Sequence, residues 1–275
     1  MAKESAATPA PAAPAGGSTG LTTTNNGVSK YPMITTAAEQ YPIIANGEEA
    51  VEIFKENLAG QAISSFDLTI VKVPSGGITS WEVPTVNGAQ SMKSIEGIVV
   101  GISRRRALWL DPNPSSNPPD CSSADMETGV PNAQSKTPGP GGECAKCPMA
   151  QFGTAKGPDG KPRKGQACRE NKMLAILVPG EIMPWVIKCP PSSLKDMLQF
   201  QTRLPVRFSG AVCRFSLAAD KSDDGIKFSK IVPEFVAALP PEQAKVVLNY
   251  ARVIGGQIEK AADRASSSAD IGEAT

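Results

Sequence analysis

The chain has 275 residues, 40% hydrophobic and 20% charged, with a net charge of +1. That is mass enough for a buried core, without the global charge that would pull it toward nucleic acid or a membrane. It has no histidine, which excludes Ser-His-Asp and Cys-His nucleophile activation, His-ligated zinc hydrolases and imidazole acid–base chemistry.

Residues 1–30 are Ala/Pro-rich and then Gly/Ser/Thr/Asn-rich, the composition of a disordered tail. They lack the apolar core of a secretory signal. Residues 174–187 are the best membrane-span candidate, and Pro179, Glu181 and Pro184 break them. The expected location is therefore a reducing cytoplasm with no membrane partner, where clustered cysteines read as metal ligands before disulfides.

Residues 31–93 are expected to hold one helix and one strand. The helix spans 47–60, capped by Asn46, with Val51, Phe54 and Leu58 on one face and Gly60 at its end. The strand runs from Phe66 and stops at Pro74-Ser-Gly-Gly. The main domain spans 94–239. Residues 94–103 read as a strand and 106–110 as its return, and 111–172 then lose all periodicity. A structureless stretch of that length inside a domain needs something to order it.

Regular structure resumes with strands at 173–178 and 185–189, joined by Pro179-Gly180. A helix capped by Ser192 or Ser193 follows to about Arg203, with Leu194, Met197 and Leu198 inward. Strands at 206–218 and 225–232 follow. A helix over 240–265 has Pro241 at its start and Val246, Leu248, Tyr250, Val253, Ile254 and Ile258 on its apolar face. Residues 266–275 are a polar tail. Strands, a helix, then two strands is the order of an OB barrel. The expected fold is thus α+β, mainly β: an OB-like barrel with an inserted four-Cys zinc loop at 111–172, a flanking N-terminal helix and a C-terminal helix.

Cys144-Ala-Lys-Cys147 offers two thiolates from one tight turn, with Gly141-Gly142 before it and Pro148 after it. Cys121 lies upstream and Cys168 downstream. Together they make a tetrahedral set for one Zn²⁺ with no position left for water, so the ion orders the loop and does no chemistry. Cys189 and Cys213 sit in apolar strands and read as small buried hydrophobes.

Around these cysteines the sequence resembles a family of proteins of bacterial plasmids, phages and other mobile elements. The matching stretches are Val71-Lys-Val-Pro-Ser-Gly-Gly, Trp81-Glu-Val-Pro, Ile95-Glu-Gly-Ile-Val, Asp120-Cys-Ser-Ser with Thr128-Gly, Gly141-Gly-Glu-Cys-Ala-Lys-Cys-Pro with Phe152-Gly, Ala167-Cys, and Pro190-Pro-Ser-Ser-Leu-Lys. They cover roughly residues 66–232. The resemblance implies a relation to small zinc-containing DNA-binding proteins of replication or recombination, in a bacterial host or phage-infected cell. Members of that family place Asp-Gly after the first cysteine turn, where this chain has Asp125-Met126.

The insertion is locally basic, with Lys156, Lys161, Arg163, Lys164, Arg169 and Lys172, and Arg104, Arg105 and Arg106 lie at the expected junction of the first two strands. Spaced along a groove, these could neutralise phosphates while Trp109, Phe152, Trp185 or Phe208 stack bases. Against this, aromatics make up only 5% of the chain, few for a stacking platform. A lysine-rich loop can also be a plain solvated surface.

The expected function is non-enzymatic single-stranded-DNA binding, the barrel face stacking bases and the zinc loop clamping the backbone, with replication or recombination proteins as further partners. The alternative is a structural, scaffolding or homo-oligomeric protein docking through its zinc loop and C-terminal helix. A nuclease or transferase would have to use Asp111, Asp120, Asp125 and Glu127 with a hard cation, but their spacing is irregular.

Overall fold

Three short helices open the fold: α1 (Ala37–Gln40), α2 (Pro42–Asn46) and α3 (Glu49–Asn57). Asn46 is the last residue of α2, not the cap of a helix over 47–60. Gly47, at φ +57°, turns the chain between the two helices. The structure is a computed structural model that describes residues 31–268 except 48, 86, 112–118, 158–159 and 223–224. The tail expected over 1–30 lies outside the described residues, as do 269–275. Among the described residues no helix is long and apolar enough to cross a membrane.

The strands follow in chain order: β1 (Ile70–Lys72), the hairpin β2 (Trp81–Thr85) and β3 (Gly88–Met92), then β4 (Ser94–Leu108). Within the insertion come the short β5 (Cys121–Ser123), β6 (Thr128–Pro131) and β7 (Gly142–Glu143). After it come β8 (Cys168–Leu177), β9 (Trp185–Cys189), helix α4 (Leu194–Arg203), β10 (Ala211–Lys221), β11 (Lys227–Ala238) and helix α5 (Pro241–Ser268). The architecture is mixed α+β and mainly β. It comprises one large mixed sheet, order β1-β9-β8-β4-β5-β6-β7 with β10 and β11 branching from β4, and the separate β2-β3 hairpin.

β4 is one continuous 15-residue strand, where two strands were expected. β8 pairs along one of its edges, and the other edge is shared by β10 at residues 94–98 and β5 at residues 106–108. The sheet stays open among the described residues, because β9 and β11 do not pair. Residues 70–75 lie between them instead: β1 runs parallel to β9, and Ser75 makes an antiparallel bridge to Phe228 of β11.

Two apolar clusters lie on opposite faces of this sheet, as period-2 alternation requires. On the inner face Val99, Leu174, Ile176, Ile187, Phe215 and Ile231 pack together, with Met197 of α4 and Trp81 of the hairpin closing the cluster. On the outer face Ile98, Met173, Ala175, Leu177 and Val186 meet Tyr250, Ile254 and Ile258 of α5 and the N-terminal helices. The buried side of α5 is Val247, Tyr250, Ile254, Ile258, Ala261 and Ala262, one residue out of phase with the expected Val246 and Leu248, and Val253 is 46% exposed. Leu198, expected inward, is also exposed. A bulge between Val99 and Gly101 resets the alternation in β4. Beyond it Ile102 faces the inner cluster, and Arg104, Arg106 and Leu108 continue on that side.

Trp81 is fully buried, and its Nε1–H donates to the Phe215 carbonyl at 2.9 Å, tying the hairpin to a strand 134 positions away. Trp81→Ala removes a large buried ring and its hydrogen bond. It is expected to lower unfolding free energy by about 3–5 kcal/mol in urea melts.

Candidate metal centre and basic loop

β4, β5 and β8 run side by side at the end of the sheet, and their register sets the cysteines. Leu108 is directly opposite Cys121 of β5 on one side and Cys168 of β8 on the other. Directly opposed residues in an antiparallel ladder share a face, so both cysteines flank Leu108 on the inner side. The Cys144–Lys146 and Pro148–Ala150 turns bring Cys144 and Cys147 over the same spot, with Cys147 N–H donating to the Cys144 carbonyl. All four cysteines, Arg106 and Leu108 line one hollow of about 10 Å³. That is room for a single small guest.

The backbone is shaped to let the sulfurs in. A Cβ on Gly139 would stand 2.4 Å from the Cys121 Cβ, and one on Gly129 would stand 3.1 Å from its sulfur. Gly139 therefore needs glycine, whereas a Cβ at Gly129 would require the sulfur to give way by a few tenths of an ångström. Gly141 N–H donates to the Cys121 sulfur, and Cys144 N–H donates to the Glu127 carbonyl at 2.7 Å. Burial pushes the Cys121 thiol up, and the Gly141 bond opposes it. Burial likewise pushes Cys168 up to about 11, with the Arg106 guanidinium drawing it down and the other three cysteines pushing it up.

Among the described residues no group of three or more His, Cys, Asp or Glu side chains already stands in a metal-holding arrangement. The four thiols share a hollow and not a finished coordination shell. Tetrahedral Zn–S bonds of about 2.3 Å need sulfurs only about 3.8 Å apart, so Cys121 and Cys168 would have to lean together across Leu108. The donor set, the size of the hollow and the N–H bond to sulfur all fit one thiophilic dication.

Cys189 and Cys213 lie within strands, buried, with thiols pushed up to about 12 by burial. Of the carboxylates weighed for a hard cation, Asp120 and Asp125 serve the loop's own turns. Asp120 accepts from Leu110 N–H and the Ser135 hydroxyl. Asp125 accepts from the Ser123 hydroxyl and from the Glu127 and Thr128 N–H groups, which hold its carboxyl down at about 2.

The basic residues fall into separate groups. Arg104 is paired with Glu170 at 2.7 Å. Arg105 points the other way, donates to the Glu259 carbonyl of α5, and is lowered to about 10 by burial. Arg106 turns into the cysteine hollow. Lys172 is buried, its Nζ donating to Gln201 of α4 at 2.7 Å. The side chains of Arg105 and Lys172 are therefore held inside the fold and away from any phosphate-facing surface. Lys156, Lys161, Lys164 and Arg169 are exposed and Arg163 is half-buried. Phe152 is 80% exposed, Trp109 is half-buried, and Trp185 and Phe208 pack against the inner cluster. Leu108, Arg106 and the glycines around Cys121 were not foreseen as parts of the centre, although the glycine-rich spacing was the signal for the last of these.

The chain matches no known protein family, no curated protein and no solved structure.

Met126 stands at φ +70°, a left-handed conformation that costs a side-chain-bearing residue roughly 1–2 kcal/mol. Met126→Gly is expected to raise the melting temperature of the chain. The gain is expected to be below about 1 kcal/mol, since glycine also loosens the unfolded chain.

Proposed function

We propose that this chain is a non-enzymatic single-stranded-DNA-binding protein of a phage or other mobile element, acting in replication or recombination, whose contact surface is a zinc-ordered loop. The observation that carries this reading is where the insertion sits. β4, β8, β9, α4, β10 and β11 follow the order of an OB-like barrel, and the insertion occupies the connection between the first and second strands. OB folds bind oligonucleotides with that connection, the loop between the last two strands, and the outer face of the second and third strands. Here the insertion displays Lys156, Lys161 and Lys164 to solvent beside the 80%-exposed Phe152, and exposed Arg169 follows at the start of β8.

The outer face of β8 and β9 is not available for stacking, because Met173, Ala175, Leu177 and Val186 lie beneath α5 and the N-terminal helices. The reading therefore moves the contact from the barrel face to the loop: cations track the phosphates and Phe152 offers one stacking surface. Zn²⁺ on Cys121, Cys144, Cys147 and Cys168 would supply cross-links between segments that share only a small apolar cluster of their own. Its role would be structural.

A scaffolding role is the second reading. A groove of about 350 Å³ between α3 and α5, lined by Val51, Phe54, Leu58 and Val253, favours it.

Fluorescence anisotropy with labelled single-stranded and duplex oligonucleotides across a salt series separates the two. Tighter single-strand binding that weakens steeply with salt is expected. Lys156→Ala with Lys164→Ala should reduce the log–log salt slope by about 1.4, at roughly 0.7 per phosphate lost. Phe152→Ala should cost about 1–3 kcal/mol on single strands. Equal affinity for both forms, or no binding at low salt, contradicts the reading.

A further inference from the structure

Among the described residues Arg106 is a cation without an ion-pair partner. Its Nε and Nη1 are buried and have no hydrogen-bond partner, although a guanidinium leaving water needs both a donor's acceptor and an opposing charge. The acids around it are engaged elsewhere. Glu170 is opposite Arg106 in the ladder, but its Oε1 takes both Nε and Nη2 of Arg104, at 2.9 and 2.7 Å. Asp125 accepts from Ser123, itself opposite Arg106 on β5, and from two loop N–H groups. Asp120 serves Leu110 and Ser135. What Arg106 does face is the hollow shared by the four cysteines.

Neutral thiols would give this guanidinium nothing to balance its charge. Four thiolates around a dication would. Binding proceeds as Zn²⁺ plus four thiols giving a tetrathiolate with net charge −2 and four released protons, so the loaded site is a buried dianion. We propose that Arg106 is the positioning and charge-compensating residue of this metal centre, its Nε–H and Nη1–H donating to thiolate sulfurs once the ion is bound. It is not a ligand. It would orient sulfurs on either side of Leu108 and halve the charge that the fold has to bury. Partners of this kind just outside a metal's ligands typically contribute about 10–100-fold in affinity.

The arrangement also accounts for the arginine triplet in β4. Alternation sends Arg104 and Arg106 to the inner side, where Arg104 takes Glu170 and so leaves Arg106 for the sulfurs. Arg105 goes to α5.

This inference rests on the metal reading, so the test separates the two. Wild-type full-length chain, Arg106→Gln and Arg106→Lys are loaded with Zn²⁺ and titrated against a chromophoric chelator. Co²⁺ loading reports the sulfur coordination through its thiolate-to-metal charge-transfer band. Wild-type chain that takes up no zinc overturns the metal reading and this inference with it. If wild type binds, Arg106→Gln is expected to bind zinc about 10–100-fold more weakly with a shifted charge-transfer band, and Arg106→Lys, which keeps a donor and the charge, to recover part of the loss. Unchanged affinity in Arg106→Gln, or equal losses in both variants, overturns the role of Arg106 while leaving the centre intact. A measurement on wild type needs no variant to fold: the Arg106 Nε–H resonance should shift and become protected from exchange on Cd²⁺ loading. An unmoved resonance contradicts the proposal.

Discussion

The convergence of Cys121, Cys144, Cys147 and Cys168 over Leu108 is the constraint on which the middle of this chain depends. Between β4 and β8 the backbone has only short ladders and single turns, and the apolar residues that gather there are few: Leu108, Cys121, Ala150 and Cys168, with Cys147, Met149 and Ala167 around them. Such a cluster buries far too little surface to offset the conformational entropy of ordering the loop around it. Sulfur–metal bonds would make up that shortfall, because they join β5, the Cys144–Cys147 turn and the start of β8 at one point. The small hollow, the glycines packed against Cys121 and the partnerless Nε and Nη1 of Arg106 are the features that support the proposed thiolate-bound dication.

β4 transmits that constraint to the rest of the fold. Its first half places Ile95 and Val99 in one core and Ile98 and Val100 in the other. Past the bulge it carries the arginines, and it ends at Leu108, which forms the floor of the hollow. The loop is therefore anchored on the strand that also holds β8 and β10. The exposed cations of the proposed phosphate-tracking surface are carried on this insertion.

Much of this was legible in the sequence where the signals were local. The Cys-x-x-Cys turn with its glycines, the Pro179-Gly180 hairpin, the helix after Ser193 and the order of the late strands all appear where short-range chemistry puts them. What escaped is non-local. The run 94–110 read as a strand and its return, with the three arginines at the junction. In fact alternation along one strand hides Arg105 under α5 and Arg106 among the cysteines. Along α5 the expected Tyr250, Ile254 and Ile258 are buried, but in the apolar run 246–248 the buried residue is Val247, which only the partner surface selects. No local pattern announces that residues 70–75 come between β9 and β11 and leave the sheet open. Met126 shows the converse: a position where glycine was expected keeps the left-handed turn, held by the Asp125 carboxylate and its three hydrogen bonds.

Native mass spectrometry of the full-length chain after zinc loading tests the central claim most directly, because it counts the bound ion. The account predicts one Zn²⁺ per chain, and no retained zinc in Cys121→Ser under the same wash. A chain that holds no zinc, or a Cys121→Ser variant that holds it as firmly as wild type, would contradict it.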